Sequence, residues 1–538
     1  MKTAKRLILA FIALITIGIT QAQISPQTLK AISTPDKSDK TRLGVLEFKD
    51  GMPSDKTAQA LWDELDYIRG VDAFINGYAA VSQYAIRNGF LEQGVNDNEV
   101  LVFSKLMNCK SLFLTANADT YYFWTFIDLS KGPMIVEIPA NVLGVFDDMW
   151  WRWVGDFGVP GPDRGIGGKY LIVPEGYKGQ LPKEGYFIRY SRTSRFSVLG
   201  RAFIDEQPIA EIDKAVKATL KIYPYTAGGY GTTIASFLAG DSKLGQLQKP
   251  AETRFHEGSD RVMNTIPPAD YSFFEMLDKA IQAESAESLD PEVAGALYAI
   301  GIVKGKTFAP DARMKKILTE SAAIGNAASR MISFAPRASE DFGYYGASSQ
   351  WVNSLFVGGY EFLTPPPEVT KDGVKQYPND GARKLNARIG MFYTATGITP
   401  AMCMRLPNIG SQYLAAFCDS KGLPLDGNKT YKIILPKGIP AAKFWSLTLY
   451  DNQTRSMLET PQLFPRAGSQ SYPTPAAVAE TDGSTIIYIG PKKPTNVKDG
   501  NWIQSIPNKG WFTLIRLYSP LPSFFDKTWK VGEFEEVK

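Results

Sequence analysis

Between Phe146 and Tyr170 the chain reads "FDDMWWRWVGDFGVPGPDRGIGGKY", which sets Asp147, Asp148, Asp156 and Asp163 beside Arg152, Arg164 and Lys169, with tryptophans interleaved. Paired carboxylates divide acid and base work when their surroundings push their pKa values apart. On that chemistry Asp148 and Asp156 are the expected proton donor and acceptor. Arg152 or Lys169 would then stabilise developing negative charge. Trp151 offers a flat face to a sugar or an aromatic ligand. The competing reading is equally physical: "PGPDRGIGG" is a rigid loop and the tryptophans are core.

Two further stretches carry polar groups at strand ends. In "ANADTYYFWTFIDLSKGPMIVEIP", residues 116–139, Asn117 and Thr120 read as turn-formers bonding their own backbone, whereas Asp119 and Tyr121 are candidates to face a cleft. In "FWSLTLYDNQTRSM", residues 444–457, alternation puts Trp445, Leu447 and Leu449 on one face and Phe444, Ser446, Thr448 and Tyr450 on the other. This strand stops in Asp451–Arg455, so Trp445 and Arg455 join the ligand-binding candidates, with a self-capped turn as the alternative. "NWIQSIPNKGWFTLIRLYSP" ends similarly, with Arg516 and Tyr518 on a strand.

Other chemistries are excluded by what is scarce. The single histidine, His256, rules out a three-histidine zinc site and any H-E-x-x-H pair. It is also the only base that a Ser-His-Asp triad could use. "GDSK" at 240–243 and "GGYGTT" at 228–233 read as turns at helix ends rather than as an esterase or phosphate-binding element. "DSKGLPLDGNKTY" at 419–431 has too few carboxylates for a calcium loop and reads as a hairpin turn. No metal and no cofactor is expected.

Positioning these residues requires several kinds of element. Leu61, Trp62, Leu65, Ile68, Ile75, Ala79 and Ile86 fall at near-helical spacing, predicting one or two helices over 55–87. From 100 to 206 short β-rich runs such as "YYFWTFIDL", "KYLIVPEG" and "FSVLGRAFI" alternate with Gly and Pro turns. Residues 207–345 form a helical segment. Its clearest helix places Met314, Ile317, Leu318, Ser321, Ile324, Ala328 and Met331 on one stripe. After the Pro-rich stretch at 363–373, strands return over 380–525 without helical crossovers, which predicts an antiparallel sandwich. The fold class is α+β: a mixed α/β-rich N-terminal domain over 55–206, the helical middle, and a C-terminal antiparallel β-sandwich.

At the N-terminus, Lys2, Lys5 and Arg6 precede an apolar stretch from Leu7 to about Ile17 and then "GITQAQ". This is the pattern of a signal peptide cleaved after Ala22, and the apolar run is shorter than the roughly 20 residues that span a bilayer. The mature protein is expected to be periplasmic or secreted, with no transmembrane anchor. Cleavage would change 59 basic against 55 acidic residues to 56 against 55, which leaves no global attraction for nucleic acid. Cys109, Cys403 and Cys418 form no framework and read as small buried hydrophobes, although a Cys403–Cys418 bridge is geometrically open.

Six segments carry a resemblance. "NADTYYFWTFIDLSKGPMIVEIP", "WVGDFGVPGPDRGIGGKYLIVPEGY", "DGNKTYKIILP", "FWSLTLYDNQTRSML", "NWIQSIPNKGWFTLIRLY" and "FDKTW" occur in this order. From about residue 55 to its end, the chain resembles the bacterial two-domain family catalogued as domain of unknown function 1254 followed by domain of unknown function 1214. The resemblance implies a β-rich α+β part and then an antiparallel sandwich, and export signals in many members. It supplies no reaction and no catalytic residues, and His256 lies outside its motifs. The residues themselves point to a metal-independent hydrolase or lyase acting on a small polar or sugar-like substrate. The alternative is an envelope protein that binds a small molecule, glycan or partner without turnover.

Overall fold

The computed structural model describes residues 24–205, 207–226, 238, 251–370 and 372–537. The expected signal segment 1–22, "GGYGTT" and "GDSK" lie outside these residues. Residues up to Asp66 and residues from Tyr67 onward form two compact units. In the first, Ser25 caps a short helix, Pro26–Ile32, by accepting from the Thr28 amide at 3.0 Å. An antiparallel three-stranded sheet follows, formed by Lys37–Thr41, Gly44–Lys49 and Met52–Pro53.

A single helix, α1 (Asp55–Glu92), occupies the region where one or two were expected. From residue 73 onward it buries Ala73, Phe74, Tyr78, Val81, Ala85 and Ile86, at steps of one, three or four residues, the pattern of one helix face. Trp62, Leu65 and Ile68 are instead exposed. α5 (Ala312–Phe334) is the predicted long helix, but its buried face is rotated from the expected stripe. Ile317, Leu318, Ser321, Ala322, Gly325 and Ser329 are buried, while Ile324 and Met331 are about half exposed. The cause is close packing on α1. A Cβ on Gly325 would lie 2.6 Å from the Phe74 ring, so the helix must present a glycine at this close contact.

Six strands form the central sheet of the N-terminal part. In spatial order they are β10 (Phe255–Glu257), β1 (Val100–Phe103), β2 (Tyr121–Asp128), β8 (Arg195–Ala202), β4 (Leu143–Asp148) and β5 (Trp153–Gly158). Alternation on β2 sends Tyr121, Phe123 and Ile127 into one core and Trp124 and Phe126 into another. The first core is closed by a four-stranded sheet of β3 (Met134–Ile138), β6 (Gly168–Pro174), β7 (Phe187–Ser191) and β9 (Lys221–Pro224), and by α2 (Ile209–Thr219). The second core packs against α1, α3 (Ser272–Ala283), α4 (Pro291–Ala299) and α5.

The C-terminal part is two sheets around one core. The five-stranded sheet has the order β11 (Trp351–Val352), β12 (Ser411–Ala416), β18 (Trp511–Tyr518), β14 (Trp445–Asp451) and β15 (Arg466–Gly468), all antiparallel. Facing it are β13 (Tyr431–Leu435), β16 (Thr485–Gly490), β17 (Trp502–Gln504) and β19 (Glu535–Glu536), in which only the β16–β17 pairing is parallel. Leu447, Leu449, Ile515 and Leu517 meet Ile433, Leu435, Ile487 and Ile489 between the sheets. Every residue of β14 is buried. A strand covered on both faces must pack against something on its outer side as well. Tyr450 and Phe512 do so, joining the core that holds α1 and β2.

Candidate functional site

The residues of "NADTY" lie at the seam between the N-terminal and C-terminal sheets. The Asn117 carboxamide oxygen accepts from the Asp119 amide at 2.7 Å, the self-bonded turn expected of Asx residues. Asp119 is fully buried and serves the seam, not a cleft. Its Oδ1 lies 2.8 Å from Nε of the equally buried Arg466, and Ser446 and Tyr518 donate to Oδ2 at 2.5 and 2.9 Å. Asn117 donates to the Tyr518 hydroxyl at 2.8 Å, and Tyr450 donates to the Ala116 carbonyl at 2.8 Å. Tyr121 points the other way, donating to Asp213 on α2 at 3.0 Å. Burial first, and then Asp213, push its hydroxyl pKa upward.

Beside this seam is a cavity of about 200 Å³. Its floor is one face of the six-stranded sheet. The pairings Tyr122–Arg201–Leu143 and Trp124–Leu199–Val145–Asp156 lay two rows of side chains across β2, β8, β4 and β5. The roof is the outer face of the five-stranded sheet, where Tyr413 pairs with Arg516 and Ala415 with Leu514 on β12 and β18. One side is closed by α6 (Leu385–Thr394), the loop Ala395–Thr399 and the start of α7 (Pro400–Cys403). The lining is mostly apolar, and its charged groups come from both sheets.

Arg201 and Arg516 flank Tyr413. Arg201 donates from Nη2 to Ser411 Oγ at 3.0 Å and hydrogen-bonds Tyr413. The Arg516 guanidinium stands 5.3 Å from the Tyr413 ring, and its Nη2 donates to the Thr115 carbonyl at 2.8 Å and the Tyr450 hydroxyl at 2.7 Å. Arg516 Nε is buried without a hydrogen-bond partner. Burial pushes the Tyr413 hydroxyl pKa up, but Arg201 and Arg516 outweigh it and hold it below its ordinary value. Among the described residues neither arginine has a carboxylate partner; their electrostatic neighbours are tyrosines.

Asp156 reaches the cavity wall. It accepts from Thr399 Oγ1 at 2.5 Å and from Trp153 Nε1 at 3.2 Å. Burial raises its pKa to about 6, against the lowering effect of these two bonds and of Arg189. Asp147 holds the same loop by accepting from the Ile398 amide at 3.0 Å, and burial raises its pKa strongly.

The other expected site residues are placed elsewhere. Asp148 closes its own turn, accepting from the Trp150 and Arg152 amides at 2.8 and 3.0 Å and pairing with Arg152 Nε at 2.6 Å. Trp151 is core, stacked on Phe392 at 6.1 Å. Lys169 pairs with Glu137 at 3.4 Å on an exposed sheet face. Trp445 packs inside the sandwich. Arg455 is buried away from the cavity lining, donating to the Tyr393 carbonyl at 3.2 Å and the Tyr78 hydroxyl at 3.0 Å, and the turn before it is capped by Asp451. Asp119 and Tyr121 are likewise structural, as described. His256 bonds Glu99 at 2.9 Å on a strand of the opposite end of the sheet. The cysteines are free thiols, with Cys109 and Cys403 buried. Among the described residues no group of His, Cys, Asp and Glu is placed to hold a metal ion. Tyr122, Arg201, Ser411 and Tyr413 were not singled out in the sequence. Their one signal was charge or hydroxyl inside an apolar strand, as in "FSVLGRAFI".

Fold and site together define a protein of two β-rich parts with a cavity walled by a sheet from each. Residues 98–224 match the family described as "Protein of unknown function (DUF1254)", and residues 410–522 match "Protein of unknown function (DUF1214)". The chain carries both family segments, DUF1254 and then DUF1214. All seven of the paired floor residues, and the whole of the Tyr413–Arg516 roof, fall inside the matched segments.

Two solved structures resemble the chain. A Vibrio parahaemolyticus protein is 18% identical, with a TM-score of 0.49, and the match covers 88% of this chain and 100% of that one. An uncharacterized protein from Burkholderia cenocepacia is 11% identical, with a TM-score of 0.37, and the match covers 90% and 97% of the two chains. No curated protein matches the sequence.

Proposed function

We propose that the protein holds a small, largely apolar organic molecule in the cavity between its two sheets, in the exported compartment to which residues 1–22 would direct it. The observation that carries this reading is the cavity's construction: an apolar chamber of about 200 Å³ whose floor and roof come from different family segments. Ligand sites are concave, mostly apolar and fitted with a few convergent polar groups. Such a lining suits a hydrocarbon or aromatic body better than a sugar, and the tryptophans first considered as sugar platforms are not part of its polar end. Among the described residues no helix is long and apolar enough to cross a membrane.

The test is a thermal-shift and calorimetric screen of the purified protein against small apolar molecules, with Ala415→Phe alongside to fill the chamber from β12. Binding by the wild type and its loss in the folded variant are expected. Absence of binding, or binding that Ala415→Phe leaves unchanged, overturns the reading.

One observation favours turnover as a second reading. Asp156, on the cavity wall with a pKa of about 6, is poised to donate or accept a proton near neutrality. This retains one half of the carboxylate pair, since Asp148 is committed to its turn. Under this reading Asp156→Asn keeps affinity and loses product formation. An unchanged turnover rate would rule out Asp156 as the proton-transfer group.

A further inference from the structure

Two arginines meet at one end of the cavity and lack any acidic partner among the described residues, which is an expensive arrangement. A buried guanidinium loses its hydration and needs its donors satisfied. Arg516 is 5% exposed, and its Nη2 is spent on a carbonyl and a hydroxyl while Nε finds nothing. Arg201 has one hydroxyl from Ser411 and the Tyr413 hydroxyl. Asp119, which adjoins this group through Tyr518, is already occupied on both oxygens by Arg466, Ser446 and Tyr518. It balances Arg466 and leaves the positive charge of the cavity end uncompensated. The rest of that end supplies donors as well: the Tyr122 hydroxyl, whose oxygen accepts from Asn117 Nδ2 at 3.1 Å, keeps its proton free to donate.

Resting on the cavity reading above, we infer that the molecule held there is an organic acid. Its carboxylate is clamped between Arg201 of the floor and Arg516 of the roof, with Tyr413 and Tyr122 donating, and its apolar tail lies along Trp124, Leu199, Ala415 and Leu514. The clamp also explains why the site spans two parts of the chain: neither sheet alone carries both cations. Charge-assisted hydrogen bonds from arginine are short, strong and geometrically selective for carboxylates. The ligand's negative charge replaces the one that Tyr413 supplies on losing its proton, so acid binding and Tyr413 ionisation compete.

Octanoate, 1-octanol and octylamine share a tail and differ in head charge, and titration calorimetry of each into the full protein tests the inference. Octanoate is expected to bind more tightly than 1-octanol by roughly tenfold or more, with octylamine weakest, as expected for a charged head meeting two guanidiniums. Arg201→Gln is expected to erase the preference for octanoate while keeping 1-octanol affinity. Arg201→Gln also removes the Arg201–Ser411 bond between the two sheets, so retained 1-octanol affinity is the control that the chamber stays intact.

A second readout does not depend on that substitution. The alkaline ultraviolet titration of the wild type should show one tyrosinate forming early, at a pH that rises when octanoate is bound and does not rise with 1-octanol. Tyr413→Phe should remove that phase. Equal affinities for octanoate and 1-octanol, unchanged by Arg201→Gln, overturn the organic-acid inference and leave the cavity reading standing. No binding by any of the three overturns both.

Discussion

Asp156→Asn separates the electrostatics of the cavity wall from its shape. An ordinary aspartate titrates near 3.8, and burial moves Asp156 to about 6. The folded protein therefore holds this proton more tightly than the unfolded chain does. Stability that is fully present below the unfolded value is lost as pH rises through about 6. At about 1.4 kcal/mol per tenfold change in proton affinity, the loss amounts to about 3 kcal/mol between pH 4 and pH 8. Asparagine keeps an oxygen that can accept from Thr399 and Trp153, but it carries no charge to desolvate. The variant should match or slightly trail the wild type at pH 4 and exceed it by up to about 3 kcal/mol at pH 8. Asp147 shares this environment, with Asp156 among the groups raising its pKa, so the variant also relieves that repulsion. Urea unfolding followed by tryptophan fluorescence at whole pH values from 4 to 8 gives the two curves, and their difference isolates Asp156 from carboxyls elsewhere, such as Glu284 with a pKa near 7. Parallel curves across that range would refute the argument, because a carboxyl free to ionise in both states contributes no slope.

Asp119→Ala strands the fully buried Arg466 without its counter-ion and should cost about 3–5 kcal/mol in urea unfolding, the range for breaking one partner of a buried pair. Gly325→Val drives a branched side chain into the Phe74 ring, so overpacking should lower stability by about 1–3 kcal/mol. Neighbouring tyrosines should part company. Tyr121→Phe loses the bond to Asp213 and about 1 kcal/mol of stability with octanoate affinity intact, whereas Tyr122→Phe weakens octanoate severalfold, as measured by calorimetry.

The contrast between Tyr121 and Tyr122 shows why the fold was more legible than the site. Hydrophobic alternation placed the strands, the α+β class and the two faces of β14, because each of those follows from which residues must leave water. A strand buried on both faces gives no such cue about which face lines a cavity. In "DTYYFWTF" each alternate residue is aromatic or apolar, and only the pairing of β2 with β8 sets Tyr122 beside Arg201 while Tyr121 turns toward α2. The same holds for the carboxylates. Asp148 and Asp156 are eight residues apart in one polar-aromatic segment, yet a tight turn consumes the first and a strand partner of Val145 presents the second. Arg201, Tyr413 and Arg516 are each more than 100 residues from the next along the chain, and they come from two sheets. Local composition marks where polar groups are dense, and density here served turns and the seam. The charge that stays uncompensated is a property of the assembled interface: each arginine sits in a strand that reads as ordinary core, and only their meeting over Tyr413 leaves a positive site for a ligand to neutralise.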